Sequence, residues 1–518
     1  MSIANRHPLE TWMFSLRFRK KCCYFRFPNF RTMRKLDQLQ PQPIWNFFED
    51  ICQVPRPSKK EEKIIRFLLD FAKQNKLEAK HDEIGNVLIT KPATPGRENH
   101  QTVILQSHVD MVCEKNSDKK FNFDTDAIVP VVDGEWVRAD GTTLGSDNGI
   151  GMAAQMAVLT STDIQHGPVE CLFTVDEETG LSGAFALQKN FMSGKILLNL
   201  DSEDEGEIFI GCAGGIDTLA ELSVKKEPVP GNSFALKIMV KGLLGGHSGD
   251  DIHKGRGNAN KILARFLWQA TRKTGLRIAD FNGGNLRNAI AREAYAVVIV
   301  PKVQKEELVA ELNIFSADVE FEYERTEPNL VVDHSSTFLP ETVLDIRSQE
   351  KFLNLLCACP HGVLEMSPRM EGMVETSTNL ASVKFIENEK IRITTSQRSE
   401  LESRKQFAAE MVHSVFELAG AQVSHSDGYP GWTPNPGSKL LQTAVKSYEK
   451  LFGRKPLVRS IHAGLECGLF LEKYPELDMV SFGPTIRGAH SPDERINIET
   501  VNKFWLHLKD VLENIGKI

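Results

Sequence analysis

The sequence predicts an α/β protein: a domain with a central, mostly parallel sheet flanked by helices, carrying an inserted α+β domain. Three observations predict it. Up to about residue 214, apolar runs of strand length alternate with stretches of helical spacing. From about 215 to 429 the texture changes to closely spaced β-runs with helices between them. YPGWTPNPGS at 429–438 is a Pro/Gly-rich boundary, after which the first texture resumes.

The elements follow in order. Residues 43–54 and 58–75 space their apolar side chains as helices. NVLITKP at 86–92 and TVILQSHVDMV at 102–112 read as strands. ADGTTLGSDNG at 139–149 is a glycine-rich loop, and IGMAAQMAVLTS at 150–161 a helix. CLFTVDEETG at 171–180 reads as a strand running into a loop, with a helix near 182–191. KILLNLDSED at 195–204 is an apolar strand ending in acids. In the insert, SFALKIMVKGLLGGHSG, YAVVIVPKV, ADVEFEYER and KIRITTSQRS read as strands. NANKILARFLWQATRKTG and RKQFAAEMVHSVFELAG read as helices. A helix at 439–452 and the strand MVSFGP at 479–484 return to the first domain.

At 518 residues the chain is too long for one core. Its 41% hydrophobic and 25% charged residues are those of a soluble globular protein. A net charge of −7 argues against a nucleic-acid or anionic-membrane binder. No apolar stretch approaches the roughly 18–20 residues of a membrane span. Nine thinly spread cysteines, an odd number without a CxxC pair, suit a reducing compartment, the cytoplasm. Residues 1–32 hold seven Lys/Arg and one acid, a composition also found in transit peptides. We read them instead as a non-native or disordered extension before Met33. The expected division is 1–32, then 33–214 and 430–518 as one domain, with 215–429 inserted.

Five segments carry chemistry: SHVDM at 107–111, GSDNG at 145–149, DEETG at 176–180, LDSED at 200–204 and GAHSPDE at 488–494. His108, Glu177, Glu178 and Asp201 fall at the carboxyl ends of apolar runs, where open α/β sheets collect ligands. Asp147 opens a helix, and His490 follows a strand through a glycine-containing turn. Each has a plain reading alone. His108 suits a satisfied core histidine, and Asp147 a helix cap. Glu177, Glu178 and Asp201 suit solvated turns, and His490 a loop bridge. Together, two histidines and several carboxylates without thiolates suit a pair of divalent ions such as Zn²⁺, Mn²⁺ or Co²⁺. Two metals need one bridging carboxylate and terminal ligands for each, which leaves one of the adjacent glutamates for proton transfer.

The segments SHVDMV, GTTLGSDNGIGMA, DEETG, LDSEDEGEI, GGHSG, IHAGLECG and GPTIRGAHSPDE resemble the aminoacyl-histidine (Xaa-His) dipeptidase family. That family belongs to the co-catalytic zinc group that includes carnosinases. The resemblance runs from Met33 to the C-terminus. It implies that His108 and Asp201 hold one metal, Glu178 and His490 the other, and that Asp147 bridges them. It implies Asp110 as the carboxylate orienting His108, and Glu177 as the general base toward a metal-bridged hydroxide. In the insert, which it implies is a lid and dimerisation domain, His247 of GGHSG matches an oxyanion-stabilising histidine. Arg398 matches a grip on the substrate carboxylate, and Asn288 and Gly464 match further substrate contacts. Ala291 stands in NAIARE where the family pattern has proline. The implied function is hydrolysis of Xaa-His and other short dipeptides by a homodimer. The rival readings are a related tripeptidase or N-acyl-amino-acid deacylase, and a non-catalytic binding protein on the same fold.

Overall fold

A computed structural model describes residues 34–387 and 389–516. The extension read at 1–32 lies outside the described residues. Lys35–Ile518 is one compact unit built on two large sheets.

The first sheet has eight strands. Their order is Glu78–His81, Val87–Lys91, Val169–Thr174, Val103–His108, Ile196–Asn199, Asp478–Ser481, Glu207–Cys212 and Leu457–Ile461. Val103–His108 lies at the centre, parallel to both Val169–Thr174 and Ile196–Asn199. Every residue of these three strands is buried, as in a sheet covered on both faces. Toward the edges the pairing turns antiparallel, at Val87–Lys91 and again at Glu207–Cys212. The register sets His108 beside Thr174 and Gln106 beside Asn199. The three chains therefore leave the sheet at one edge.

Helix Ser146–Thr160 is buried almost all round, as its mostly apolar and small residues require; after Asn148 the one long polar side chain is Gln155, whose amide bonds the strands beneath it. It packs on Val103–His108 and on helix Gln42–Cys52. The helices meet at Gly149, where a Cβ would stand 3.2 Å from the Phe48 ring. Trp45, Phe48 and Ile51 are fully buried there. Each contributes about 1.5–3 kcal/mol by leaving water.

The second sheet is antiparallel, with nine strands. The main path runs Val331–Ser336, Ser233–Lys241, Ala294–Pro301, Arg277–Gly283, Val374–Ile386, Lys390–Ser399, Gly214–Ser223 and Gln422–His425, and Gly362–Met366 pairs with Val374–Ile386. Helices Ala259–Thr274, Lys305–Tyr323, Ile346–Ala358 and Glu402–Leu418 supply its core with the sheet. The two sheets have separate apolar cores. One draws on Leu36–Cys212 and Trp432–Ile515, the other on Ala220–Phe416. The chain crosses between them twice, and the crossings pair. Cys212 and Trp432 exchange two backbone hydrogen bonds of 2.9 Å, and Gly215 and Tyr429 exchange two of 3.0 and 2.8 Å.

Two expected elements differ. ADVEFEYER is not a strand but the end of helix Lys305–Tyr323. Val319, Phe321 and Tyr323 alternate with glutamates, which mimics a strand. The longer spacing decides: Leu308, Leu312, Phe315 and Val319 are buried on one helical face while Phe321 is 75% exposed. The helix near 182–191 shortens to Ser182–Ala186. The strand Val374–Ile386 gave no apolar run, because Thr376, Ser377, Thr378 and Asn379 are buried polar residues within it.

Candidate metal centre

Three strand ends and two turns build the site. His108 ends its strand. Beyond Val169–Thr174 the chain turns through Asp176, at φ 51°, into Glu177 and Glu178. Asp201 lies two residues past Ile196–Asn199. Asp147 follows Gly145, whose φ of 70° and tight surroundings exclude a side chain, since a Cβ would stand 2.5 Å from Arg56 Nη2. His490 itself is left-handed, at φ 63°, two residues after Gly488. A non-glycine residue held there marks a position fixed by its surroundings.

The side chains converge. His108 Nε2 lies 3.0 Å from Asp147 Oδ1 and 3.3 Å from Asp201 Oδ1. His490 Nε2 lies 3.2 Å from Asp147 Oδ2 and 2.9 Å from Glu178 Oε2. Asp147 thus presents one oxygen to each imidazole. It is not the helix cap: the next residue, Asn148, accepts from Gly151 N at 3.1 Å through its Oδ1. Asp110 is fully buried and faces His108 Nδ1 at 3.4 Å. It also accepts the backbone N–H groups of Glu177 and Glu178, at 3.0 and 3.2 Å, and the Ser58 hydroxyl at 2.8 Å. One carboxylate therefore sets both the histidine ring and the turn that carries the two glutamates.

The electrostatics are those of crowded like charges. Burial raises the Glu177 carboxyl well above the usual carboxylate range; His108 opposes this, while Asp201, Glu178 and Glu466 add to it. Burial also raises Glu178, against a hydrogen bond from His490. His490 is pushed up to about 11 by its hydrogen bonds to Asp147 and Glu178. Burial alone would lower His108, but Asp201, Asp110 and Asp147 outweigh it and raise the imidazole above its usual range.

These residues fit two cations. The ligand atoms of His108, Asp147 and Asp201 lie within 4.8 Å of one another, as do those of Asp147, Glu178 and His490. Glu178 Oε1 is buried with no hydrogen-bond partner among the described residues. A buried carboxylate oxygen is costly without a donor or a cation. The donors are oxygen and imidazole only. Glu177 lies beside them, and no described group hydrogen-bonds its carboxylate.

A second cluster gathers residues of the inserted layer. His247 Nε2 lies 3.5 Å from Arg398 Nη2, and Arg398 Nη1 donates to the Tyr429 hydroxyl at 3.0 Å. Arg398 is 6% exposed, and its Nε has no partner among the described residues. Gly464 packs on the Tyr429 ring, where a Cβ would stand 2.8 Å away. Asn288 joins through its backbone, accepting from Ser248 N at 2.8 Å, while its side chain is exposed. That turn forms despite Ala291, since Ile290 N also donates to Gly246 O at 2.9 Å. His247 and Asn288 line one groove of about 990 Å³.

Residues 104–514 match the model of peptidase family M20/M25/M40. The chain belongs to this family. It is 45% identical over 483 residues to the cytosol non-specific dipeptidase of Escherichia coli strain K12, covering 93% of this chain and 99% of that one. The structure matches that of aminoacylhistidine dipeptidase from Vibrio alginolyticus with a TM-score of 0.85 and 46% identity, covering 92% and 97% of the two chains. A tripeptidase from Staphylococcus aureus shares the fold at a TM-score of 0.55 and 16% identity, covering 93% and 100%.

This M20/M25/M40 peptidase also uses groups that the sequence did not single out. Glu466 is buried under the centre, accepting from Gln106 Nε2 at 2.6 Å and Thr174 Oγ1 at 2.8 Å. His462 bonds Ser377 of the inserted layer at 2.7 Å. Both lie in IHAGLECG, so the segment touches both layers. Tyr429 was legible only as part of a boundary. Arg56 and Glu494 support the Asp147 turn, and Arg56 had no local signal at all.

Proposed function

We propose that this chain is a dinuclear-metal dipeptidase cleaving Xaa-His and other short dipeptides. One observation carries the reading: Asp147 is shared by two imidazole–carboxylate sets, and an untied Glu177 lies beside them. The E. coli and Vibrio relatives support the substrate class, since each matches nearly its whole length. The tripeptidase likeness extends to the fold alone.

His108 and Asp201 would hold one ion, Glu178 and His490 the other, and Asp147 both. Bound zinc, or cobalt or manganese in its place, would acidify the attacking water and polarise the scissile carbonyl. Glu177 would take the water's proton and return it to the leaving amine. Asp110 would hold the His108 ring. His247 would donate to the carbonyl oxygen as charge develops on it. Arg398 would bind the substrate's terminal carboxylate with two donors, with Asn288 and Gly464 as flanking contacts. The inserted unit 215–429 would thereby act as a lid that limits substrate length. We place the enzyme in the cytoplasm as a homodimer. No helix among the described residues is long and apolar enough to cross a membrane.

The test is a panel of Gly-His, Gly-Leu, carnosine, N-blocked dipeptides and long C-terminally amidated peptides. The expected result is cleavage of short free dipeptides only, abolished by a chelator and restored by Zn²⁺, Mn²⁺ or Co²⁺. Efficient cleavage of the long amidated peptides would contradict the reading. A preference for N-acylated substrates would point to a deacylase. Arg398→Met should lower kcat/KM on Gly-Leu by roughly 10–100-fold, the worth of charge-assisted hydrogen bonds at about 1.5–3 kcal/mol. Gly-Leu amide should be affected far less. Equal losses on both substrates would remove Arg398 from the grip.

A further inference from the structure

The turn that carries Asp147 is held from both sides by charged side chains. Glu494 is 2% exposed. Its Oε2 accepts from Leu144 N at 2.7 Å and Gly145 N at 2.9 Å. Its Oε1 accepts from Ser146 N at 2.7 Å, Ser146 Oγ at 2.6 Å and Asp147 N at 3.3 Å. These N–H groups belong to the turn that enters helix Ser146–Thr160, ahead of the non-helical Asp147 and Asn148, and the chain satisfies them with its own carboxylate. On the other side Arg56, 2% exposed, donates to Gly145 O, to Val109 O at 2.9 Å and to Asp110 O at 2.8 Å. Arg56 thus ties the Asp147 turn to the chain that follows His108.

Glu494 lies four residues after His490. The intervening turn is closed by Glu494 N donating to Ser491 O at 3.0 Å and by Ser491 Oγ donating to Gly488 O at 2.7 Å. A single segment therefore carries one imidazole of the centre and the clamp on the carboxylate that faces it. Strand pairing does not provide this tie, since 144–147 lies outside any strand.

We infer that Glu494, assisted by Arg56, is a positioning residue that fixes the Asp147 carboxylate between the two imidazoles and thereby sets metal affinity. The inference rests on the metal-centre reading above. It concerns geometry, not charge on the metals: Glu494 spends its lone pairs on four backbone N–H groups and the Ser146 hydroxyl. Nothing in a purely structural role would tie its loss to the affinity of the centre.

The layer contains a matched control. Glu170, at the opposite end of the sheet, accepts from Ser193 N at 2.9 Å, Ser193 Oγ at 2.6 Å and Gly194 N at 3.1 Å. It clamps a turn in the same way, far from any candidate ligand. Glu494→Gln keeps the volume but turns an amide N–H₂ toward backbone donors. Glu170→Gln does the same at the remote turn.

Metal affinity of the folded full-length protein is read by competition with a chromophoric chelator, using Zn²⁺ alone, beside thermal unfolding of the metal-free forms. Glu494→Gln should weaken metal binding by roughly 10–100-fold, the usual effect of removing a group that orients a ligand. Glu170→Gln should lower stability yet bind metal as wild type does. Ser146→Ala, which deletes one hydroxyl from the clamp, is the milder variant should Glu494→Gln fold poorly; it should weaken binding by several-fold. Wild-type affinity in both clamp variants would overturn the inference while leaving the metal centre intact. Equal weakening in Glu170→Gln would overturn it too, as a stability effect. A wild-type protein that binds no metal would instead remove the metal centre, and this inference with it.

Discussion

Glu177→Ala should keep both metals and lose roughly 10²–10⁴-fold in kcat, the usual worth of a positioned general base. The structure separates the two effects well. The Glu177 backbone is held by Asp110 through its N–H at 3.0 Å, and the neighbouring Glu178 N–H by the same carboxylate. Removing the Glu177 side chain therefore leaves the Glu178 carboxylate where it was. The Glu177 carboxylate makes no hydrogen bond to any described residue. Metal analysis and steady-state kinetics on the purified variant check both halves. Turnover within tenfold of wild type would take the base role from Glu177. Loss of metal would make it a ligand.

Asp147→Ala should empty both metal sites at once and reduce activity to background. The reason is its double contact: one oxygen at 3.0 Å from His108 Nε2, the other at 3.2 Å from His490 Nε2. Of the two imidazoles, Asp201 contacts His108, and Glu178 pairs with His490. Asp201→Ala and Glu178→Ala should accordingly weaken one site more than the other. Metal stoichiometry by elemental analysis, on protein dialysed against trace Zn²⁺, tells the cases apart. One tightly held equivalent in Asp147→Ala would show that the carboxylate serves a single ion.

Much of the centre was legible because a parallel sheet aligns chain directions. Once 102–112, 171–180 and 195–204 read as strands of one mostly parallel sheet, their carboxyl ends fall on one side of it, and the structure makes the three neighbours. His108, Glu177, Glu178 and Asp201 follow from that alone. His490 and Asp147 sit on turns, and only their residue types and the family resemblance pointed to them. What was not legible depends on partners remote in sequence. Glu494 looked like one more acid in a polar turn, since its partners are backbone N–H groups some 350 residues earlier. Arg56 sits between two prolines in a stretch with no periodicity. The strand Val374–Ile386 was hidden by its buried hydroxyls and amide, whose partners are supplied across the sheet. Gln397 Nε2, for one, donates to Thr378 Oγ1 at 3.2 Å. The helix Lys305–Tyr323 shows the reverse error, where five alternating residues outweighed a longer helical stripe.

The paired crossings at Cys212–Gly215 and Tyr429–Trp432 bear on how such a protein is assembled. Because the outgoing and returning strands are hydrogen-bonded neighbours, the points where the first layer is interrupted lie side by side. A short turn joining Cys212 to Trp432 would span the gap, as a hairpin does between antiparallel partners. The larger part of the second layer is thus a cassette in the topological sense. It can be lengthened, exchanged or excised without rethreading the polypeptide around it.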